Sequence, residues 1–134
     1  MTAFVFFFAS VALMSSDVSA KIIKTPTPLM GWNSYNYYSC TPTETIIKNS
    51  AHGLVDLGLA QLGYKWVTTD CGWNANYRDS SGKMVWNETT FPSGGKSLGD
   101  YIHGLGLKFG AYSGGGYYQC GSTDQPASLR RFGF

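Results

Sequence analysis

A short apolar, β-branched and aromatic run, Tyr64-Lys65-Trp66-Val67-Thr68-Thr69, ends abruptly in Asp70-Cys71-Gly72-Trp73. Val67, Thr68 and Thr69 favour the pleated conformation, so the run predicts a buried strand that delivers polar residues at its C-terminal end. Upstream, Ile47, Ala51, Leu54 and Leu57-Gly58 recur at helical spacing. Thr41-Pro42-Thr43-Glu44 reads as a capping box with proline at the first helical position, which predicts a helix from there to about Leu62. Gly63 is then free to take the left-handed conformation of a helix stop.

The same pattern returns further along. Leu98, Ile102 and Leu105 share one face of a second predicted helix, from a cap at Ser93 to about Leu105. Gly94, Gly95, Gly99 and Gly104 weaken that helix by about 1 kcal/mol each where they fall in its interior, so it depends on tertiary packing. The junction Leu62-Gly63-Tyr64-Lys65-Trp66 recurs as Leu105-Gly106-Leu107-Lys108-Phe109 about forty-three residues later, followed by a predicted strand from Lys108 to Ser113. Near the start, Pro26 and Pro28 hold the chain extended before Leu29-Met30-Gly31-Trp32-Asn33-Ser34-Tyr35-Asn36, the predicted first strand. Gly31 allows close backbone approach there, and Trp32, Asn33 and Asn36 project above the sheet. Between Asn74 and Pro92 a long excursion contains turn residues flanked by two runs, Tyr77 to Trp86, and reads as a small β-hairpin over the strand ends. The class is α/β, with successive strand–loop–helix units of one architecture.

Ligands of such folds sit at the carboxyl ends of parallel strands. Trp32, Asp70 and Tyr112 are the residues at those ends. Asp70 either faces a ligand or caps a turn, and Trp32 either lines a site or fills the core. A carboxylate between aromatic rings suits a polyhydroxylated ligand, with hydroxyls donating to Asp70 and rings covering apolar sugar faces. Cleavage of a glycosidic bond needs two carboxylates, about 5 Å apart for retention and further apart for inversion. Glu44, Asp56 and Asp100 fall on helices, Asp79 and Glu88 in the hairpin region and Asp124 in the terminal loop. Only Asp70 ends a core strand.

Composition narrows the picture. At 134 residues the chain is shorter than the roughly 250 of a complete β/α barrel. Charged residues are only 13% and the formal net charge is +2, which excludes nucleic acid as a partner. Residues 1–20 read as an export signal: Ala3 to Met14 is an apolar run, and Val18-Ser19-Ala20 is the small-x-small pattern before cleavage. A membrane anchor is the weaker alternative, because that run falls short of the roughly 20 residues a span needs. A secreted, extracellular protein follows, with no membrane attachment after cleavage. In that compartment Cys40, Cys71 and Cys120 are expected in disulfides, and three is an odd number, so one partner is free, intermolecular or missing. Asn87-Glu88-Thr89 is an N-glycosylation sequon. His52 has no second ligand at metal spacing, so no metal is expected. Gly114-Gly115-Gly116 opens no phosphate loop, and no cofactor signature is present.

Five segments together carry a family resemblance. They are Pro28-Leu29-Met30-Gly31-Trp32-Asn33-Ser34-Tyr35-Asn36; Leu62-Gly63-Tyr64-Lys65-Trp66-Val67 through Asp70-Cys71-Gly72-Trp73; Arg78-Asp79-Ser80-Ser81-Gly82; Phe91-Pro92-Ser93-Gly94; and Gly106-Leu107-Lys108-Phe109-Gly110-Ala111-Tyr112-Ser113. In order and spacing, over about residues 25 to 129, they resemble the α-galactosidases (melibiases) of glycoside hydrolase family 27. The resemblance implies a retaining glycosidase acting on terminal α-linked galactose, with a (β/α)8 TIM barrel followed by a β-sandwich. Residues 21–129 would supply the N-terminal part of the barrel, about three β/α units. Trp32, Asp70 and Tyr112 match residues that line the galactose pocket. Cys40 and Cys71 match a disulfide, and Cys120 matches a cysteine whose partner follows the nucleophile, leaving it unpaired in this chain.

Two departures stand out. The family commonly has Asp-Asp-Cys-Trp where this chain has Asp70-Cys71-Gly72-Trp73. Either Cys71 replaces the second aspartate, or Asp70 matches that aspartate and Gly72 is an extra residue, which keeps the cysteine in register with Cys40. The family's nucleophile, in a Lys-x-Asp motif on the next strand, and its acid/base aspartate have no counterpart here. Residues 130–134, Arg130-Arg131-Phe132-Gly133-Phe134, resemble nothing expected at that point and suggest a truncation or frameshift. The expectation is a fragment inactive alone. The alternative is a short secreted carbohydrate-binding protein that uses Trp32, Asp70 and Tyr112 without catalysis.

Overall fold

The computed structural model describes residues 27–115 and 118–119. The export signal over 1–20, Cys120 and the tail at 130–134 lie outside the described residues. Three short strands, β1 (Gly31–Asn33), β2 (Trp66–Thr69) and β5 (Lys108–Ala111), form a parallel sheet with β2 in the centre. Parallel neighbours cannot be joined by a tight turn, so the chain crosses over between them through helices. Helix α2 (Glu44–Asp56) lies between β1 and β2, and α3 (Gly94–Gly104) between β2 and β5. A single turn of helix, α1 (Tyr35–Tyr38), follows β1. An antiparallel hairpin, β3 (Asn74–Arg78) with β4 (Met84–Trp86), follows β2. This is the α/β arrangement that the repeated junction predicts.

The pairing register explains the core. Trp32 pairs with Val67 and Val67 with Phe109, so these three share one sheet face. α2 packs against β2, and α3 against β5 and α2. Between sheet and helices lie Ile47, Ala51, Leu54, Val67, Leu98, Ile102 and Leu107, with Phe91 sealing the end below the hairpin. The other face carries Asn33, Trp66, Thr68 and Lys108, which are half-buried or exposed, and the Lys108 ammonium sits over the Trp66 ring at 5.2 Å.

Several boundaries differ from the sequence expectation. The first strand stops at Asn33 rather than Asn36, because Asn33 Oδ1 accepts the Tyr35 N–H at 2.8 Å and turns the chain into α1. A Cβ at Gly31 would lie 2.1 Å from the Trp66 carbonyl oxygen, so the close approach expected there is real. The N-cap of α2 is Thr43, whose hydroxyl accepts the Ile46 N–H at 3.3 Å; Pro42 precedes the cap and Glu44 begins the helix. The carboxylate of Glu44 turns away from the cap toward Lys48 and Ser93, so no reciprocal capping box forms. The helix ends at Asp56, short of Leu62, because Gly58 takes a φ of +73° and the Ala60 N–H reaches back to the Leu54 carbonyl. β5 closes at Ala111, which leaves Tyr112 and Ser113 beyond the strand. Among the described residues no helix is long and apolar enough to cross a membrane.

Candidate functional site

Asp70 is the first residue after β2, and three neighbours fix it. Its backbone N–H donates to the buried Ser34 hydroxyl at 2.9 Å. Its Oδ1 accepts the Cys71 N–H at 2.8 Å, and its Oδ2 accepts the Asn33 side-chain amide at 2.9 Å. The strand end of β1 thus orients the carboxylate at the end of β2. Across β5, the Tyr112 N–H donates to the Thr69 carbonyl at 2.9 Å, and the Tyr112 carbonyl accepts Trp73 Nε1–H at 2.7 Å. Trp73 is held in turn by Trp86, whose ring also packs on Phe91 and Phe109 with centroids 5.2 and 6.2 Å away. The hairpin therefore braces Tyr112 from behind.

These elements enclose a cavity of about 290 Å³ lined by Tyr35, Asp70, Cys71 and Tyr112. Cys71 is disulfide-bonded to Cys40, which ties the loop after α1 to the residue beside Asp70. Gly72 makes that junction possible. Its φ is +89°, and a Cβ there would sit 2.0 Å from the Cys40 carbonyl oxygen.

The structure brings Asp70 and Tyr112 into one cavity, and Trp32 does not line it. By register Trp32 lies on the sheet face of Val67, its ring edge-on to Tyr38 at 6.3 Å, rather than on the open face. A separate depression of about 220 Å³ is lined by Gly31, Asn33, Trp66 and Thr68 on the open face, and Trp32 borders it from within β1. Tyr35, which the sequence reading folded into a strand, is the additional lining residue. The signal that marks it is Asn33-Ser34, a turn- and cap-forming pair that ends the strand just before it.

The other carboxylates do different work. Glu44 accepts from Lys48 Nζ at 2.5 Å and from the Ser93 N–H at 2.9 Å. Burial pushes its carboxyl up, but the Lys48 and Ser93 bonds outweigh this and hold it below the usual value. Asp79, at the hairpin tip, accepts from the Ser81 hydroxyl and from the Lys83 and Ser81 N–H groups, which lower it in the same direction. Among the described residues Asp70 alone of the carboxylates lines the cavity, and no group of three or more His, Cys, Asp or Glu could hold a metal ion. His52 bonds to the Tyr101 hydroxyl at 2.5 Å, joining α2 to α3.

Comparison with known proteins carries the site further. The family profile described as alpha galactosidase A matches residues 27–133. The chain is similar to the probable alpha-galactosidase D of Aspergillus fumigatus, 54% identical over 123 residues, covering 90% of this chain and 19% of that protein. It is similar to the alpha-galactosidase D of Emericella nidulans, 51% identical over 96 residues, covering 72% of this chain and 15% of that protein. The chain thus spans about a fifth or less of the length of these curated relatives. Among solved structures, alpha-galactosidase I from Mortierella vinacea superposes with a TM-score of 0.72 at 45% identity, over 77% of this chain and 25% of that one. The Saccharomyces cerevisiae α-galactosidase solved with raffinose gives the same TM-score at 38% identity, over 77% and 22%. The chain belongs to the α-galactosidases of glycoside hydrolase family 27.

Proposed function

We propose that the chain is the sugar-holding N-terminal part of a secreted, retaining α-galactosidase that releases terminal α-linked galactose from oligosaccharides and galactosides. The observation that carries the reading is the oriented Asp70 carboxylate facing a cavity shared with Tyr35 and Tyr112, at the carboxyl ends of parallel strands. Asp70 is held by Asn33 and the Cys71 N–H, and each of its oxygens keeps lone-pair capacity for sugar hydroxyls. The Tyr35 and Tyr112 rings cover apolar sugar faces. A relative solved with raffinose, an α-galactoside, supports a carbohydrate substrate.

In this reading β1, β2 and β5 are the first three strands of a (β/α)8 barrel, spanning residues 21–129 after removal of an export signal over 1–20. The two reacting carboxylates, nucleophile and acid/base, are not in the described cavity. Asp70 binds substrate and does no bond-breaking itself, and the 134-residue chain is not expected to hydrolyse galactosides alone. The gene's complete product, expressed in a secretory host and given an aryl α-galactoside, tests this. Hydrolysis with the α-anomer of galactose as first product is expected, and Asp70→Ala should lower kcat/KM by roughly 10- to 100-fold, the worth of hydrogen bonds to a charged group. Inversion, or an unchanged kcat/KM for Asp70→Ala, would overturn the mechanism or the site. Galactose binding without turnover would favour a carbohydrate-binding protein instead.

A further inference from the structure

We propose that Asn87 carries an N-linked glycan whose first N-acetylglucosamine folds into the cleft beside the β3–β4 hairpin and packs on Tyr77. The inference rests on the export reading above, since the transfer occurs only in the secretory compartment.

The Asn87-Glu88-Thr89 sequon is unusually well prepared. Asn87 Oδ1 accepts the Thr89 N–H at 3.0 Å, which fixes the amide plane, and Nδ2 has no hydrogen-bond partner among the described residues. The backbone is held too. The Asn87 N–H donates to the Trp73 carbonyl at 2.9 Å, and the Asn87 carbonyl accepts the Phe91 N–H at 2.8 Å. A side chain that leaves such an anchored position can go in few directions.

The space it meets is a cleft of about 440 Å³, lined by Asn76, Tyr77, Glu88 and Thr89 among others, and Asn87 forms part of the wall. That volume falls within the ~300–1,000 Å³ of small-molecule sites. Its lining matches a sugar: Asn76 and Glu88 are exposed hydrogen-bonding groups, and the Tyr77 ring is 58% exposed on the hairpin surface. The cleft shares no lining residue with the galactose-holding cavity, so an occupant here would not touch the residues that hold substrate.

The hairpin also has reason to need a cover. Its ladder shifts register between Asn74 and Arg78, and while Trp86 is packed on Phe91 and Phe109, Tyr77 stands exposed. In the transfer, Asn87 Nδ2 bonds to C1 of the first N-acetylglucosamine of a lipid-diphosphate-linked oligosaccharide. The C1–O bond to the diphosphate breaks, the diphosphate leaves with that bond's electron pair, and the amide loses one proton to a base.

The test uses the gene's complete product from a secretory eukaryotic host, trimmed by an endoglycosidase that leaves one N-acetylglucosamine. Peptide mass spectrometry should find that single sugar on Asn87. Amide hydrogen exchange over residues 74–86 should be the same before and after trimming. It should be faster in Thr89→Ala, which removes the sequon but keeps the N–H that Asn87 accepts, and restored in Thr89→Ser. The expected acceleration is roughly tenfold, what burying some 50–60 Å² of apolar ring and sugar face gives at ~25 cal/mol per Å². Tyr77→Ala should speed exchange in the glycosylated protein and have little further effect in the Thr89→Ala background. Secreted protein with Asn87 unmodified overturns the proposal and leaves export standing. A modified Asn87 with equal exchange in wild type and Thr89→Ala overturns the packing. Product retained in the cytosol overturns both proposal and export.

Discussion

Asn33 Nδ2 donates to Asp70 Oδ2 at 2.9 Å while the same amide accepts the Tyr35 N–H through Oδ1 at 2.8 Å. Both ends of the amide are committed, so it cannot flip without losing both bonds. Asn33, Ser34 and Tyr35 thus act in sequence on one site: the first holds the Asp70 carboxylate, the second its N–H, and the third lines its cavity.

Replacing Asn33 with leucine frees Asp70 Oδ2 and lets the carboxylate leave its orientation. In the complete enzyme the KM for an aryl α-galactoside should rise by about tenfold, the lower range for a hydrogen bond to a charged group, because this pair is solvent-exposed. Asn33→Asp should be worse, since it sets a second carboxylate within hydrogen-bond reach of the first. Steady-state kinetics on both variants decides the matter; an unchanged KM would mean that Asp70 needs no support from β1.

The disulfide acts on the same corner. Cys40 and Cys71 are 31 residues apart in sequence, and closing such a loop in the unfolded chain stabilises the fold by about 3–4 kcal/mol on the chain-entropy account. Cys71→Ser should lower the melting temperature of the complete protein by several degrees, and a reductant should lower wild type at least as far. If reductant leaves wild type unmoved, the bridge does not limit unfolding.

How much of this was legible follows from the physics of each element. Asp70 stands out because a β-branched and aromatic run stops directly before it, and Tyr112 because the Leu-Gly junction that precedes β2 is repeated before β5. Tyr35 was hidden because Leu29 to Asn36 is mostly aromatic and small, a composition that suits a strand as well as a single helical turn. Only the side-chain bond from Asn33 to Tyr35 N–H decides between them. The end of α2 was misplaced for a related reason: the apolar spacing runs on past Asp56, while one left-handed glycine, Gly58, stops the helix. The face on which Trp32 lies depends on its pairing with Val67, a long-range register that no local pattern encodes. The resemblance to α-galactosidases was legible because it rests on five segments in order rather than on any one.

Gly72 offers a sharper test of the corner. A side chain there faces two obstacles at once, a φ of +89° and a Cβ position 2.0 Å from the Cys40 carbonyl oxygen. Gly72→Ala should cost at least about 1–3 kcal/mol, the scale of a strained backbone residue. Chemical denaturation of the complete protein would measure it. Gly82→Ala, with a φ of +80° but open space around its Cβ, is the control. It should cost less, and equal losses would show that the close approach to Cys40 is relieved by movement.

Glu44 links two helices through one carboxylate, and this gives the fold an acid-sensitive joint. It is 7% exposed, and its two oxygens accept from Lys48 on its own helix and from the N–H of Ser93, the residue just before α3. Burial raises its pKa, yet the Lys48 and Ser93 bonds win, so the folded pKa lies below the ordinary 4.5. A depressed carboxylate pKa means that the unfolded chain binds the proton more readily. The stabilisation is therefore complete above about pH 4.5 and is lost as pH falls through that value and the lower folded pKa. Glu44→Gln keeps an oxygen for the Ser93 N–H but cannot titrate, so its melting temperature should lie below wild type near neutral pH and approach it under acid. Thermal unfolding of both proteins between about pH 6 and pH 3 checks this, because the two curves must converge. Parallel curves across that window would show that the bonds from Lys48 and Ser93 add nothing to stability that depends on the charge of Glu44.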